Sequence, residues 1–548
     1  MKKLLLSLTG AALVGAVAIT APADAASSDF TITELSIMDS GFGEGGAEIP
    51  TYHVASKQVF ATNGANNSID IYNIADVTNP KFVRSVSMDK YGDGITSVAA
   101  GKRYIAVAVT NDATYAADGA PELHNGKLVV LYPSGNVAKV MDLGAVQPDA
   151  VTFTPNGTTA LVAIEGEPIC ALDNPATTAV DESLDYKFAK DPKGALAIID
   201  LRSLSRAKVK LVDFSDISPE DIRSVGGVVS LTSGDPAVDL EPEYVSAPRS
   251  SMAFVTLQEA NLIAQINVVT GKLVALRSAG VIDRSVVPFD SSDRDSGAGL
   301  RTYDNVYGLA MPDAIAAFQD GNDYYTVTAN EGDDRADWTC FTAIDDARVK
   351  DLEVDTTVFT NWDVTGSNEE LGRAKVNPNI GDEDGDGKYE SLYLLGGRSM
   401  SIMKNGQLIY DSGALLAELQ VAALGVENIN GAHDVVDGAI VYEPQNRSDD
   451  KGAEPEGVAV GMVGNSRVAV LGLERMSALV FFDITDPANP EVISWEQVMP
   501  LEGTAADAKM WSPEGVVFID AADSPNGKPL VLTSYEMSGT ISLHSIEK

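Results

Sequence analysis

An acidic residue set directly in front of a β-rich run recurs along the whole chain, and it constrains the fold more than any other feature. The frame reads Gly92-Asp93-Gly94-Ile95, Pro148-Asp149-Ala150-Val151, Pro242-Glu243-Tyr244-Val245, Pro312-Asp313-Ala314-Ile315, Pro455-Glu456-Gly457-Val458 and Pro513-Glu514-Gly515-Val516. Glu48-Ile49, after Gly45-Gly46, is a copy shifted by one residue. Each copy leads to a second β-rich run that ends in a polar residue: Asn63, Asn111, Glu165, Gln258, Asn330, Glu474 and Glu536. Third runs such as "SIDIYNI" and "ALVFFDI" follow in most copies, then fourth runs such as "KFVRSVSM" and "EVISWE". Repeats of short strands punctuated by turns predict an all-β fold, a seven-bladed β-propeller. The last copy ends after its third run, and "TITELSIM", residues 31–38, offers the missing strand. The expectation is a ring closed by an N-terminal strand, which leaves no open seam.

Lys2 and Lys3, the apolar run from Leu4 to Ile19 and Ala23-Asp24-Ala25 predict a signal peptide over residues 1–25. Residues 26–548 are then a single propeller domain. The apolar run is too short for a good membrane span, no other segment approaches one, and the closing "LHSIEK" carries no sorting or lipidation signal. An exported protein, periplasmic or secreted, is expected. Two insertions interrupt the blade pattern, 331–391 and 414–453, the second opening on the helix-like "ALLAELQVAA". A shorter one, "SPEDIRSVGG", reads as a helix capped by Ser218. Such insertions are expected to decorate one face. Against 79 acidic residues stand 39 Lys and Arg, a net charge of −40 that argues against nucleic acid and anionic membranes as charge-driven partners. That charge serves solubility, or part of it binds cations. Cys170 and Cys340, in loops after Glu165 and Asn330, are candidates for one disulfide, since disulfides persist outside the cytosol.

In a propeller the innermost strands begin around a central channel. Glu48, Asp93, Asp149, Glu243, Asp313, Glu456 and Glu514 should therefore form a ring there, with the polar ends of the antiparallel second strands on the same face. Crowded carboxylates do not all stay ionised without counter-charge, so they capture cations or pair with Arg and Lys; otherwise they simply cap strand ends. "NEGDDR" adds Glu331, Asp333, Asp334 and Arg335, and "NRSDDKGAEPEG" adds Arg447, Asp449, Asp450, Lys451 and Glu454, while Arg475 follows Glu474. "DEDGDGKYE" is a separate signal. Asp382, Asp384, Asp386, Gly387 and Glu390 occupy positions 1, 3, 5, 6 and 9 of a calcium loop, and Tyr393 at position 12 rules out an EF-hand. Its ion would be structural. The four histidines have no zinc spacing, and no G-x-S-x-G elbow or P-loop is present. His433-Asp434 and Ser448 are weak candidates for acid–base and nucleophilic roles.

"TNGANNSIDIYNIADVTNPK", "IEGEP", "NEGDDR", "GDEDGDGKYE", "RSDDKGAEPEG" and "LERMSALVFFDITDP" together resemble the choice-of-anchor I domain, from about residue 30 to the end. That family includes mesenchyme-specific cell surface glycoproteins and is related to large atypical alkaline phosphatases. The resemblance implies either phosphatase function or a role at calcium minerals, and it brings no agreed catalytic residues. Members often carry a C-terminal surface anchor, which this chain lacks, so periplasm or medium is favoured. The first functional expectation is an exported calcium-dependent phosphomonoesterase acting on small phosphate esters. Glu331, Asp333, Asp334, Arg335, Lys451, Glu456 and Arg475 would be its catalytic set. Asp449, Asp450, Glu454, Glu456 and Glu514 would hold more than one Ca²⁺, which would activate a water. Arg335, Lys451 and Arg475 would bind the phosphate oxygens. The alternative is a non-catalytic exported scaffold that binds calcium, mineral or polysaccharide through the same face.

Overall fold

The computed structural model describes residues 29–171, 187–230, 235–295, 299–335 and 345–548. The signal-peptide reading of residues 1–25 and the cysteine at 340 lie outside them. Strand follows strand, and seven four-stranded antiparallel sheets come in chain order. Their first strands are Pro50–His53, Gly94–Ala100, Pro148–Phe153, Pro242–Arg249, Ile315–Asp320, Pro455–Val463 and Pro513–Ile519. These are the strands headed by the repeated acids. The seventh sheet takes its fourth strand from the other end of the chain, because Thr31–Asp39 pairs antiparallel with Thr540–Glu547 from Thr31↔Glu547 to Asp39↔Thr540.

Burial explains why the strands read as they do. Second and third strands such as Ile105–Thr110 and Ala478–Asp483 are almost wholly buried, because both their faces meet other sheets, and their sequences are continuous apolar runs. Fourth strands such as Lys81–Ser87 are largely exposed and carry polar residues. Each sheet shares an apolar cluster with the next. Phe60 and Ile69 of the first sheet meet Ile95 and Val107 of the second. Val59 of the first sheet meets Leu532 and Leu543 of the seventh in the same way. The first strands also touch in cyclic order, the first against the seventh included. All-β, with sheets stacked face to face around their first strands, the chain has β-propeller architecture.

The frame itself has a structural cause. In the third, fourth, sixth and seventh sheets the register slips just after the proline, so the acid and its successor oppose a single residue of the second strand. These are β-bulges, which twist a strand and re-aim a side chain. The amide after the acid is then caught by a hydroxyl across the strand, as Tyr244 N is by Thr256 Oγ1 at 2.9 Å and Gly515 N by Ser534 Oγ at 3.2 Å. The glycines of "PEG" answer a second demand. A Cβ on Gly457 would overlap the Glu514 carbonyl, and one on Gly515 would overlap the Pro50 ring, so the close approach of adjacent first strands leaves no room for a side chain.

The insertions depart from the expected loops. A five-stranded sheet joins Val281–Asp283 and Val306–Leu309, which precede the fifth sheet, to Ala347–Arg348, Lys375–Val376 and Leu392–Leu394. Strands of two to four residues are too short to show a period in sequence. This sheet has its own apolar cluster, around Phe289, Val306, Val349 and Leu392. The helix expected at the start of the second insertion spans Leu415–Leu424. Ser218 caps Pro219–Ser224 in a capping box with Asp221. No helix among the described residues is long and apolar enough to cross a membrane.

Candidate functional site

Bulged first strands turn most of the repeated acids toward one another. Burial first, and then mutual repulsion, pushes Glu243, Asp313, Glu456 and Glu514 well above the ordinary carboxylate range. The neighbours that repel them name the ring: Asp149 and Asp313 act on Glu243, Glu514 on Glu456, and Glu48 on Glu514. Glu48 and Asp149 are each raised to about 7, by burial ahead of their acidic neighbours. Asp93 departs from the expected ring. It is exposed, and its Oδ2 accepts from the amide of Asp112 at 3.1 Å.

The strand-end polar residues divide. Glu165, Gln258, Glu474 and Glu536 join the acidic network, with Gln258 donating to Glu331 Oε2 at 3.1 Å. Asn63 and Asn330 turn into their own sheets, toward Asp70 at 3.0 Å and Ser401 Oγ at 2.7 Å.

Beside the ring, oxygens of Glu331, Glu454 and Glu474 lie within 4.8 Å of one another, and all three residues are buried. One Ca²⁺, with oxygens about 2.3–2.6 Å away, spans such a gap. The three are already compensated, however. Glu454 accepts from Arg447 Nε at 2.6 Å and Arg475 Nε at 3.0 Å, and Glu474 accepts from Ser512 Oγ at 3.0 Å and faces Arg475 at 3.1 Å. Lys451 donates to Asp333 at 2.8 Å and approaches Glu331 at 3.5 Å. Burial raises Glu331 to about 8 even with Lys451 opposing.

Arg335 lies deeper. It is 2% exposed and sits among Glu241 at 2.5 Å, Asp345 at 3.2 Å, and Asp239 and Glu259 at 3.8 Å. Its fork is filled by carboxylates, leaving no face for a phosphate. Asp449 and Asp450 are likewise committed, the first to Arg348 at 2.6 Å and Arg373 at 2.9 Å, the second to Arg447 at 3.0 Å. Asp334 faces Lys375 at 3.2 Å. Asp450 shares Arg447 with Glu454, but none of these acids belongs to the converging Glu331, Glu454 and Glu474 group. Sequence reasoning missed Glu241 and its neighbours, although a signal existed. "EPE" occurs at 241–243 and at 454–456, and each time the first glutamate holds an arginine.

The loop at 382–390 is separate and exposed. Oxygens of Asp382, Asp384 and Glu390 converge within 4.8 Å. Asp382 accepts from the amides of Gly385 and Gly387 at 2.8 and 3.0 Å, which orders the turn, and Gly387 has φ +91°. Asp386 is not in the converging set and accepts from Lys388 N at 2.9 Å. No cation side chain neutralises this group among the described salt bridges, so the donor set fits Ca²⁺.

The remaining candidates are occupied or buried. His433 is packed on Tyr442 with ring centroids 5.0 Å apart, burial lowers it to about 4, and exposed Asp434 turns to its neighbour's amide. Ser448 is fully buried and donates to Asp290. Cys170, on the strand Ile169–Ala171, is disulfide-bonded, and Cys340 lies outside the described residues.

Two curated proteins show what the chain is similar to. It is 26% identical over 171 residues to Gigasin-3a of Magallana gigas, covering 29% of this chain and 60% of that protein. It is 26% identical over 242 residues to the mesenchyme-specific cell surface glycoprotein of Strongylocentrotus purpuratus, covering 38% of this chain and 30% of that protein. Among solved structures, hydrazine synthase of Kuenenia stuttgartiensis aligns at TM-score 0.42 and 12% identity, over 91% of this chain and 95% of that one. The Cps50 (Swd1) β-propeller domain of Myceliophteria thermophila aligns at TM-score 0.42 and 8% identity, over 94% and 99%. These two are likenesses of outline and carry no functional weight. The family model for the choice-of-anchor I domain matches residues 48–487, and the chain belongs to that family.

Proposed function

We propose that this protein is an exported, non-catalytic scaffold whose seven sheets form a propeller closed by the N-terminal strand, and whose carboxylate ring binds calcium-rich ligands. One observation carries the reading. The ring acids Glu243, Asp313, Glu456 and Glu514 have no salt-bridge partner among the described residues, whereas every basic group that a phosphatase would need for phosphate is committed to a carboxylate. An uncompensated ring of half-buried acids attracts divalent cations and repels a free phosphate ester. The loop Asp382–Glu390 supplies a separate structural Ca²⁺ site from its own carboxylates. Kinship with a cell surface glycoprotein supports an exported or surface location.

Calcium-dependent phosphomonoester hydrolysis stays as the second reading. It is favoured by Arg475, whose side chain is 40% exposed beside the three converging glutamates. In that reading Glu331, Glu454 and Glu474 would hold a Ca²⁺, whose chemistry would be activation of a water, and Arg475 would orient the ester. The deciding experiment pairs calcium titration calorimetry with a chromogenic phosphomonoester assay, each run with Ca²⁺ and with chelator. The scaffold reading expects calcium binding without turnover. Chelator-sensitive turnover that Glu474→Gln abolishes would replace it with the enzyme.

A further inference from the structure

One residue breaks the repeat at the position just after the acid. There the other sheets carry Gly94, Ala150, Ala314, Gly457 and Gly515, or Ile49, which packs into the apolar cluster of the first two sheets. The fourth sheet carries Tyr244. Small residues prevail because neighbouring first strands come so close, as the Cβ overlaps at Gly457 and Gly515 show. A phenol has to go elsewhere. The bulge sets Glu243 and Tyr244 together against Thr256, whose hydroxyl accepts from the Tyr244 amide at 2.9 Å and donates to its carbonyl at 3.3 Å. With the backbone pinned on both sides, the side chain leaves the strand in a fixed direction.

Its surroundings place that direction toward the channel axis. Tyr244 is half-buried and packs against the apolar clusters of the third and fourth, the fourth and fifth, and the fifth and sixth sheets. Burial first, and then Asp313, Asp149, Glu514 and Glu456, push its hydroxyl well above the ordinary phenol range. Those acids stand on the fifth, third, seventh and sixth sheets. Adjacent Glu243 answers chiefly to Glu165, Glu259, Asp149 and Asp313, none of them on the sixth or seventh sheet. The hydroxyl therefore reaches across the ring where its neighbour's carboxylate does not. It makes no hydrogen bond among the described residues and is not closed off from solvent, so it faces the lumen.

A ring of this kind needs something that chooses between cations. Among the described residues no three of the ring acids bring oxygens within 4.8 Å of one another, so the ring is wider than the cage of one bare ion. Its field alone draws metal ions and organic polycations alike. Discrimination then comes from a clash with the wrong ligand. We propose that Tyr244 is the specificity-determining residue of the carboxylate ring: its side chain fills the channel axis, admitting hydrated metal ions to the acids and blocking linear polyamines, which would otherwise thread between them. This role rests on the ring being a cation site.

The test is titration calorimetry of the mature protein with spermine and with Ca²⁺, at a fixed high ionic strength that screens the remaining acidic surface. The parent and Tyr244→Phe, which keeps the bulk, should bind calcium and take up spermine only weakly. Tyr244→Ala, which copies the third and fifth sheets, should bind spermine about tenfold more tightly than the parent. Calcium should displace that spermine, and adding Glu456→Gln to the same chain should abolish the gain, which a merely loosened core would not show. If Tyr244→Ala fails to fold, Tyr244→Val takes its place. Equal spermine affinity in the parent and the shortened variant, with calcium still bound, would overturn the proposal and leave the ring a cation site. A parent calcium isotherm that Glu456→Gln leaves unchanged would instead remove the ring reading, and this role with it.

Discussion

Arg335 donates to Glu241 through Nε at 2.8 Å and Nη2 at 2.5 Å, and both side chains are shut away from solvent. Charges so buried are held by mutual compensation, and removing one partner strands the others. Arg335→Ala leaves Glu241, Asp239, Asp345 and Glu259 facing one another. The expected loss is roughly 3–5 kcal/mol of unfolding free energy, read from urea denaturation. A variant within 1 kcal/mol of the parent would show that the acids were already protonated.

A second expectation concerns pH. Burial raises Asp149 and Asp191 to about 7 and Glu241 to about 8. Unfolding returns these groups to their ordinary range near 4, so between about pH 4 and 8 the folded protein holds more protons than the unfolded chain. Stability should therefore fall as pH rises through 7 to 8 and recover on acidification toward 5. Melting curves at constant ionic strength in chelator check this, and a midpoint that climbs from pH 5 to 8 contradicts it.

Ring closure is tested at its seam. Removing residues 29–39 strips the strand paired with Thr540–Glu547 and uncovers an edge whose side chains are almost wholly buried. Such an edge pairs with other chains. The truncated protein should melt earlier and associate, seen by light scattering beside calorimetry. Unchanged melting in a monomer would refute the proposed closure.

Calcium should report two kinds of site. Asp384→Ala removes one of three converging oxygens from the loop and should lower calcium stoichiometry by about one ion, with a lower Tm only when calcium is present. Glu456→Gln acts on the ring instead and should weaken further calcium binding while leaving the loop ion in place. Titration calorimetry of each variant separates these outcomes, and identical isotherms for Asp384→Ala and the parent would remove the loop from the calcium count.

The strand inventory was legible because its signals are local. Apolar runs, Gly and Pro punctuation and the acid before each first strand lie within a few residues of one another, and so does the Ser218 cap. The repeat count and the distant partner for the last sheet follow from the same local pattern counted along the chain. Ser399–Lys404 escaped because it offers one β-branched residue, Ile402, among serines and methionines. What the sequence could not settle is which charge meets which. Glu241 and Arg335 are 94 residues apart, Arg348 and Asp449 101. Asp93 carries the same frame as its counterparts, yet it lies outside their ring. Whether an arginine in an acidic motif faces solvent or is enclosed by carboxylates depends on how neighbouring sheets pack. Coulomb interactions and burial act through space, and only the tertiary structure sets those distances.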